Sequence, residues 1–178
     1  MVFEMHSGKV MKWLTFMYAV CWLVYLVLLT YIVLFKGSWD ETRSFLEMIH
    51  SGTTLERRKV YLRPFESTRM FLELWQYSYA RWNVLGNIFL FVPFGALMIG
   101  LAKKMRGALA AFSLSFAASL GFEMIQFLYG IGEFDVDDII LNVFGAMFGY
   151  VLACFACRLA EKWRGNKHLT ESPQQSQL

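Results

Sequence analysis

Three apolar stretches of the sequence carry residues able to hold a ligand or move a proton: Asn87, the pair Glu123 and Gln126, and Asp138 with Asn142. Glu123 and Gln126 stand three apart, a spacing that turns both side chains to one side of a helix. Asp135, Asp138, Asn142, Gly145 and Gly149 follow at intervals of 3, 4, 3 and 4, the seam of a packed helix, polar at its start and stripped of side chain further along. A carboxylate in such a place can act as a general base, an oxygen ligand or a proton relay. No cofactor is expected. If Glu123 and Asp138 did share a metal, it would be Mg²⁺ or Ca²⁺ rather than Zn²⁺, since no His or Cys lies in reach. No nucleophile triad, phosphate-cradling glycine loop or His-Glu-x-x-His helix accompanies them.

The elements that must position these residues are membrane spans. The 178 residues are 57% hydrophobic, and the apolar ones fall in long blocks. Residues 13–35 carry no charge, nor do 84–102 and 139–157, and 107–132 carry only Glu123. Each block reaches the roughly 20 residues that cross about 30 Å of hydrocarbon. The blocks are too long and too continuous for barrel strands, so an all-α bundle of four transmembrane helices is expected, at about 12–35, 84–102, 107–130 and 136–158. One domain covers 1–168, followed by a polar, disordered tail at 169–178. The first block exceeds a signal-peptide h-region and lacks a small-residue cleavage site, which makes it an uncleaved anchor.

Lys and Arg set the orientation. Lys9 and Lys12, then Lys103, Lys104 and Arg106, then Arg158, Lys162, Arg164 and Lys167 lie on segments that share one side in a four-span chain, read here as cytoplasmic. The connection between the third and fourth spans has four acids and no base, which suits the outside. Residues 36–83 dissent, with eight bases against six acids. That segment interleaves charges with Trp39, Trp75, Tyr77, Tyr79 and Trp82, and is expected to form an amphipathic extracellular loop with one or two short helices and a turn at Arg63-Pro64-Phe65. A net charge of +3, spread over both sides, gives no reason to expect nucleic acid.

With this topology, and at 1.5 Å per residue, Asn87, Gln126 and Asn142 all lie roughly 10 Å below the outer ends of their helices, and Glu123 a turn deeper. A charge at that depth costs on the order of 2.5–3.5 kcal/mol on insertion scales. Glu123 must therefore hold a proton, be reached by Arg63 or another loop base, face water, or share a cation with Asp138 and Asn142.

Structural readings stand beside these. Asp135, Asp137 and Asp138 suit a helix start through capping and the dipole, and Asp137 points off the seam. Asn87 and Asn142 can simply bond neighbouring helices. Gly145 and Gly149 read as close packing, as do Gly95 and the helix-bending Pro93. Cys21, Cys154 and Cys157 lie within apolar runs and read as packing residues.

Asn87-x3-Phe91-x-Pro93-x-Gly95, Glu123-x2-Gln126 and Phe134-Asp135-x-Asp137-Asp138-x3-Asn142-x2-Gly145-x3-Gly149-Tyr150, taken in order, resemble the VanZ-like family of bacterial membrane proteins, and the Arg63-Pro64-Phe65 turn resembles that family's Pro-Phe element. The resemblance covers about 65–150. It implies a multi-pass protein of the Gram-positive cell membrane, with both termini cytoplasmic on the charge reading, linked to resistance to the glycopeptide teicoplanin. The family pattern carries an Arg shortly before the Asp cluster, where this chain has Gly132 and Glu133.

Three functions compete. An outward-facing polar pocket of Asn87, Glu123, Gln126, Asp135, Asp138, Asn142 and Arg63 could bind a membrane lipid, a lipid-linked cell-wall precursor or a lipoglycopeptide antibiotic without turnover. An intramembrane enzyme could use Glu123 or Asp138 on a lipid headgroup. A small proton-coupled transporter could use Glu123 as its relay, and a bundle this narrow would then need a homo-oligomer.

Overall fold

The computed structural model describes residues 2–34, 60–100, 107–129 and 132–170, with side chains described for 11–34, 60–100, 107–129 and 132–163. Among the described residues, four helices are long and apolar enough to cross a membrane: α1 (Val2–Leu34), α3 (Ser78–Leu97, continued by a 3-10 turn at Met98–Gly100), α4 (Ala108–Tyr129) and α5 (Val136–Thr170). A short helix, α2 (Glu66–Glu73), precedes α3. Two-residue strands β1 (Val60–Tyr61) and β2 (Phe134–Asp135) pair in parallel, with Val60 opposite Phe134 and Tyr61 opposite Asp135. The architecture is the expected all-α, four-span bundle. The strand pair fixes the segment before α2 and the connection before α5 at the same end of it.

The helix boundaries differ from the apolar blocks because hydropathy marks what lies in lipid, while backbone hydrogen bonding continues into the headgroups. The second spanning helix opens at Ser78 rather than 84, carrying Arg81 in its first turns. Arg81 donates to the carbonyls of Trp75 and Gln76 at 2.9 and 3.1 Å, closing the turn out of α2. The last helix runs through the basic segment to Thr170 rather than stopping near 158, so residues 169 and 170 of the expected tail are helical. Residues 171–178 and the loop residues 37–59 lie outside the described residues.

Packing is closest between α3 and α5, where glycine permits backbone to meet backbone. A Cβ added at Gly145 or Gly149 would overlap the carbonyl oxygens of Ile88 or Val92, and one at Gly95 would overlap that of Ala146. Small residues allow this approach where apolar solvent supplies no hydrophobic drive between helices. Leu29 and Val33 of α1, Phe91 and Phe94 of α3, Ala111 of α4 and Ala146 of α5 form the buried core. α3 stays helical through Pro93, and Tyr25 of α1 donates to the Leu90 carbonyl just before it at 2.7 Å. The free thiols of Cys21 and Cys157 are exposed on the surfaces of their helices, and Cys154 is half-buried.

Candidate functional site

The loop-bearing end of the bundle holds a polar cluster built by α3, α4 and α5. From α3, Asn87 donates through Nδ2 to Oδ1 of Asp138 on α5. From α4, Glu123 accepts the backbone N–H of Asp135 at 2.9 Å, so its carboxylate ties the deeper part of α4 to β2. Asn142, one turn beyond Asp138, donates through Nδ2 to the Ser119 hydroxyl at 2.9 Å. Glu123 and Asn142 are each 2% exposed.

The sequence placed Asn87, Gln126 and Asn142 at one depth, and the fold gives them different partners. Asn87 meets Asp138, whereas Gln126 turns away to donate to the Val33 carbonyl at 2.9 Å, bonding the end of α1 to α4. The last turn of a helix leaves carbonyls without intrahelical partners, and in lipid one of these must be met by a neighbour. Gln126 also packs against Gly132, where an added Cβ would come within 3.2 Å of the Gln126 Cβ. Arg63 is exposed on the turn before α2 and forms no ion pair with Glu123 or any other described residue. Among the described residues no group of three or more His, Cys, Asp or Glu side chains is disposed to hold a metal ion.

Asp137 is the residue that sequence reasoning undervalued. It is 2% exposed, not a helix-start acid facing water. Its Oδ2 accepts the Ser67 hydroxyl and the Thr68 N–H, each at 2.8 Å, and its Oδ1 accepts the Phe65 N–H. The carboxylate thus occupies the N-terminus of α2, where free amides and the helix dipole favour an anion. This anchorage accompanies a left-handed backbone at Phe65, φ 66°, a conformation unusual for a bulky side chain. Asp135 in turn accepts the Asp137 N–H at 2.8 Å and shapes the first turn of α5. Burial raises the Asp135 carboxyl above its ordinary value, and the neighbouring carboxylates of Asp138 and Asp137 push the same way. The Ser67 hydroxyl and the Asp137 amide oppose the rise.

Ser119 was also missed. Ser115, Ser119, Glu123 and Gln126 recur at 4, 4 and 3 residues and are all buried on one side of α4. That periodicity was visible in the sequence. Nothing local linked Phe65, Ser67 and Thr68 to a carboxylate some seventy residues away.

A multi-pass integral membrane bundle with a polar cluster buried at its loop-bearing end is the class these features define. Residues 22–157 match the VanZ/LLP1 family, and the chain belongs to it. It is similar to Protein VanZ of Enterococcus faecium, with 33% identity over 129 residues, covering 72% of this chain and 68% of that protein. No solved structure matches it. The resemblance carried by the motifs is borne out, and the matched region takes in every polar residue of the cluster.

Proposed function

We propose that this protein sits in the cell membrane of a Gram-positive bacterium with both termini cytoplasmic, and contributes to teicoplanin resistance by binding. The polar cluster faces outward and engages a membrane lipid, a lipid-linked cell-wall precursor or the lipid-bearing antibiotic. Teicoplanin carries an acyl chain and vancomycin does not, so a site reached from the outer leaflet acts on the first selectively. The observation that carries this reading is the burial of Glu123, Asn87 and Asn142, with the half-buried Asp138 bonded to Asn87, at the end of the bundle to which β1 and α2 are fastened. Polar groups inside a membrane are expensive and mark functional sites by default. Binding is favoured over catalysis because, among the described residues, the hydrogen bonds of the cluster join amides, carboxylates and one serine hydroxyl, with no nucleophile bonded to a base.

The test is expression of the chain, Glu123→Gln and Asp138→Asn at matched membrane levels in a susceptible Gram-positive host, with growth inhibition measured for teicoplanin and vancomycin. Protection against teicoplanin alone, lost in both variants, is expected. Equal protection by all three proteins would make the cluster purely structural. No protection by the unaltered chain would remove the resistance role.

A further inference from the structure

Asn87, Glu123 and Asn142 are 3%, 2% and 2% exposed, so a ligand reaches them only after part of the protein moves. Of the eight residues of α2 only Ser67 is buried, and its hydroxyl is bonded to the Asp137 carboxylate. Little apolar packing therefore holds this helix. Its N-terminus is held by the three hydrogen bonds that Phe65, Ser67 and Thr68 donate to Asp137. Segments with few buried apolar contacts open at the lowest free energy in a fold. Phe65 adds to this tendency, because a bulky residue keeps a left-handed backbone only while its surroundings hold it there. At its other end α2 runs into the turn that Arg81 closes by donating to the carbonyls of Trp75 and Gln76, a pivot that survives when the N-terminus leaves.

The same attachment leads on to the cluster. The Asp137 N–H donates to Oδ1 of Asp135, and the Asp135 N–H donates to Oε2 of Glu123. Asp135 also pairs across the strands with Tyr61 and lies within hydrogen-bonding reach of the Ser67 hydroxyl. The segment from Tyr61 to Thr68 thus rests on two acids, one of which holds Glu123. We propose that α2 is the gate of the polar cluster and Asp137 its latch. Breaking the three hydrogen bonds swings the N-terminus of α2 about the Arg81 turn, relieves the backbone at Phe65, and opens a way to Glu123, Asn142 and Ser119 from the loop-bearing end. This rests on the reading of the cluster as a ligand site and adds how a ligand enters it.

The full chain carrying Ser119→Cys, purified in detergent, would be treated with excess N-ethylmaleimide, and labelling of each cysteine followed by peptide mass spectrometry. Ser119 is fully buried, so a thiol introduced there is labelled only through openings, at a rate that follows their population. Cys154, half-buried and three turns beyond Asn142 along α5, is the internal reference. Adding Asp137→Ala should raise labelling at position 119 roughly 10–100-fold and leave Cys154 unchanged. Ser67→Ala removes one attachment of the three and should give a smaller rise of roughly threefold or more. An unchanged rate at position 119 in Asp137→Ala, or in Ser67→Ala should Asp137→Ala not fold, overturns the gate. A rise that Cys154 shares overturns it too, because the whole bundle has then loosened. A protein that protects cells from teicoplanin without this change in access sinks the gate alone. One that shows the change without protecting sinks only the resistance role.

Discussion

The Asp137 carboxylate accepts the Ser67 hydroxyl at 2.8 Å across 70 residues of sequence, and the Thr68 N–H beside it. One side chain at the start of the last span thereby fastens the extramembrane helix that precedes the second. Hydrogen bonds to a buried charge contribute about 1.5–3 kcal/mol each, and removing the acceptor leaves donors buried without partners.

Asp137→Ala should therefore destabilise the protein by roughly 3–5 kcal/mol and release α2. Hydrogen exchange checks this: the Phe65 and Thr68 amides should lose protection while amides in the middle of α4 keep theirs. Unchanged exchange at those two positions would show that the clamp does not hold α2.

The glycine contacts between α3 and α5 predict a sharp positional contrast. Gly149→Val places a branched side chain against the Val92 carbonyl and should cost roughly 2–4 kcal/mol. Gly121 has nothing within 4 Å of an added Cβ, and Gly121→Ala should stay within about 0.5 kcal/mol of the unaltered protein. Melting in detergent compares the two. Similar losses would mean that α3 and α5 do not meet through Gly149.

Gln126→Leu removes the donor that serves the Val33 carbonyl. Interhelical hydrogen bonds in membranes average about 0.6 kcal/mol and reach about 1.7, so a loss near the upper figure is expected because the carbonyl is left in apolar surroundings. A cysteine pair across α1 and α4 should then crosslink more slowly. An unchanged rate would argue against this tie.

Asp135 predicts how stability follows pH. Its carboxyl is raised in the folded protein, chiefly by burial, so the folded state holds this proton more tightly than the unfolded chain does. The contribution of Asp135 is most favourable at low pH and declines as pH rises from its ordinary value of 3.8 through the raised folded value. Acidification from pH 7 should accordingly raise the Tm of the unaltered protein relative to Asp135→Asn, which has no titrating group there. A constant difference across that range would contradict the raised value.

Much of this was legible in the sequence, because the bilayer imposes strict rules on composition. An uncharged block of some 20 residues has few choices in lipid other than a helix, so the spans at 13–35, 84–102, 107–132 and 139–157 were set by hydropathy alone. The spacing of Asp138, Asn142, Gly145 and Gly149 likewise disclosed one face of α5, since helical periodicity is local. The family was recoverable from the same motifs. Their order and spacing survive where side chains must meet across helices.

Tertiary structure decided which partner each polar residue takes. Gln126 shared its depth with Asn87 and Asn142 yet bonds the end of α1, because the Val33 carbonyl there needs a donor that its own helix cannot supply. Asp137, one position from the seam, is buried because α2 brings its free amides down onto it. Helical spacing gives a side chain's direction and depth, but which of several neighbours satisfies it depends on how the helices are rotated and on where the loops return. Those are long-range choices, settled only when the whole bundle closes.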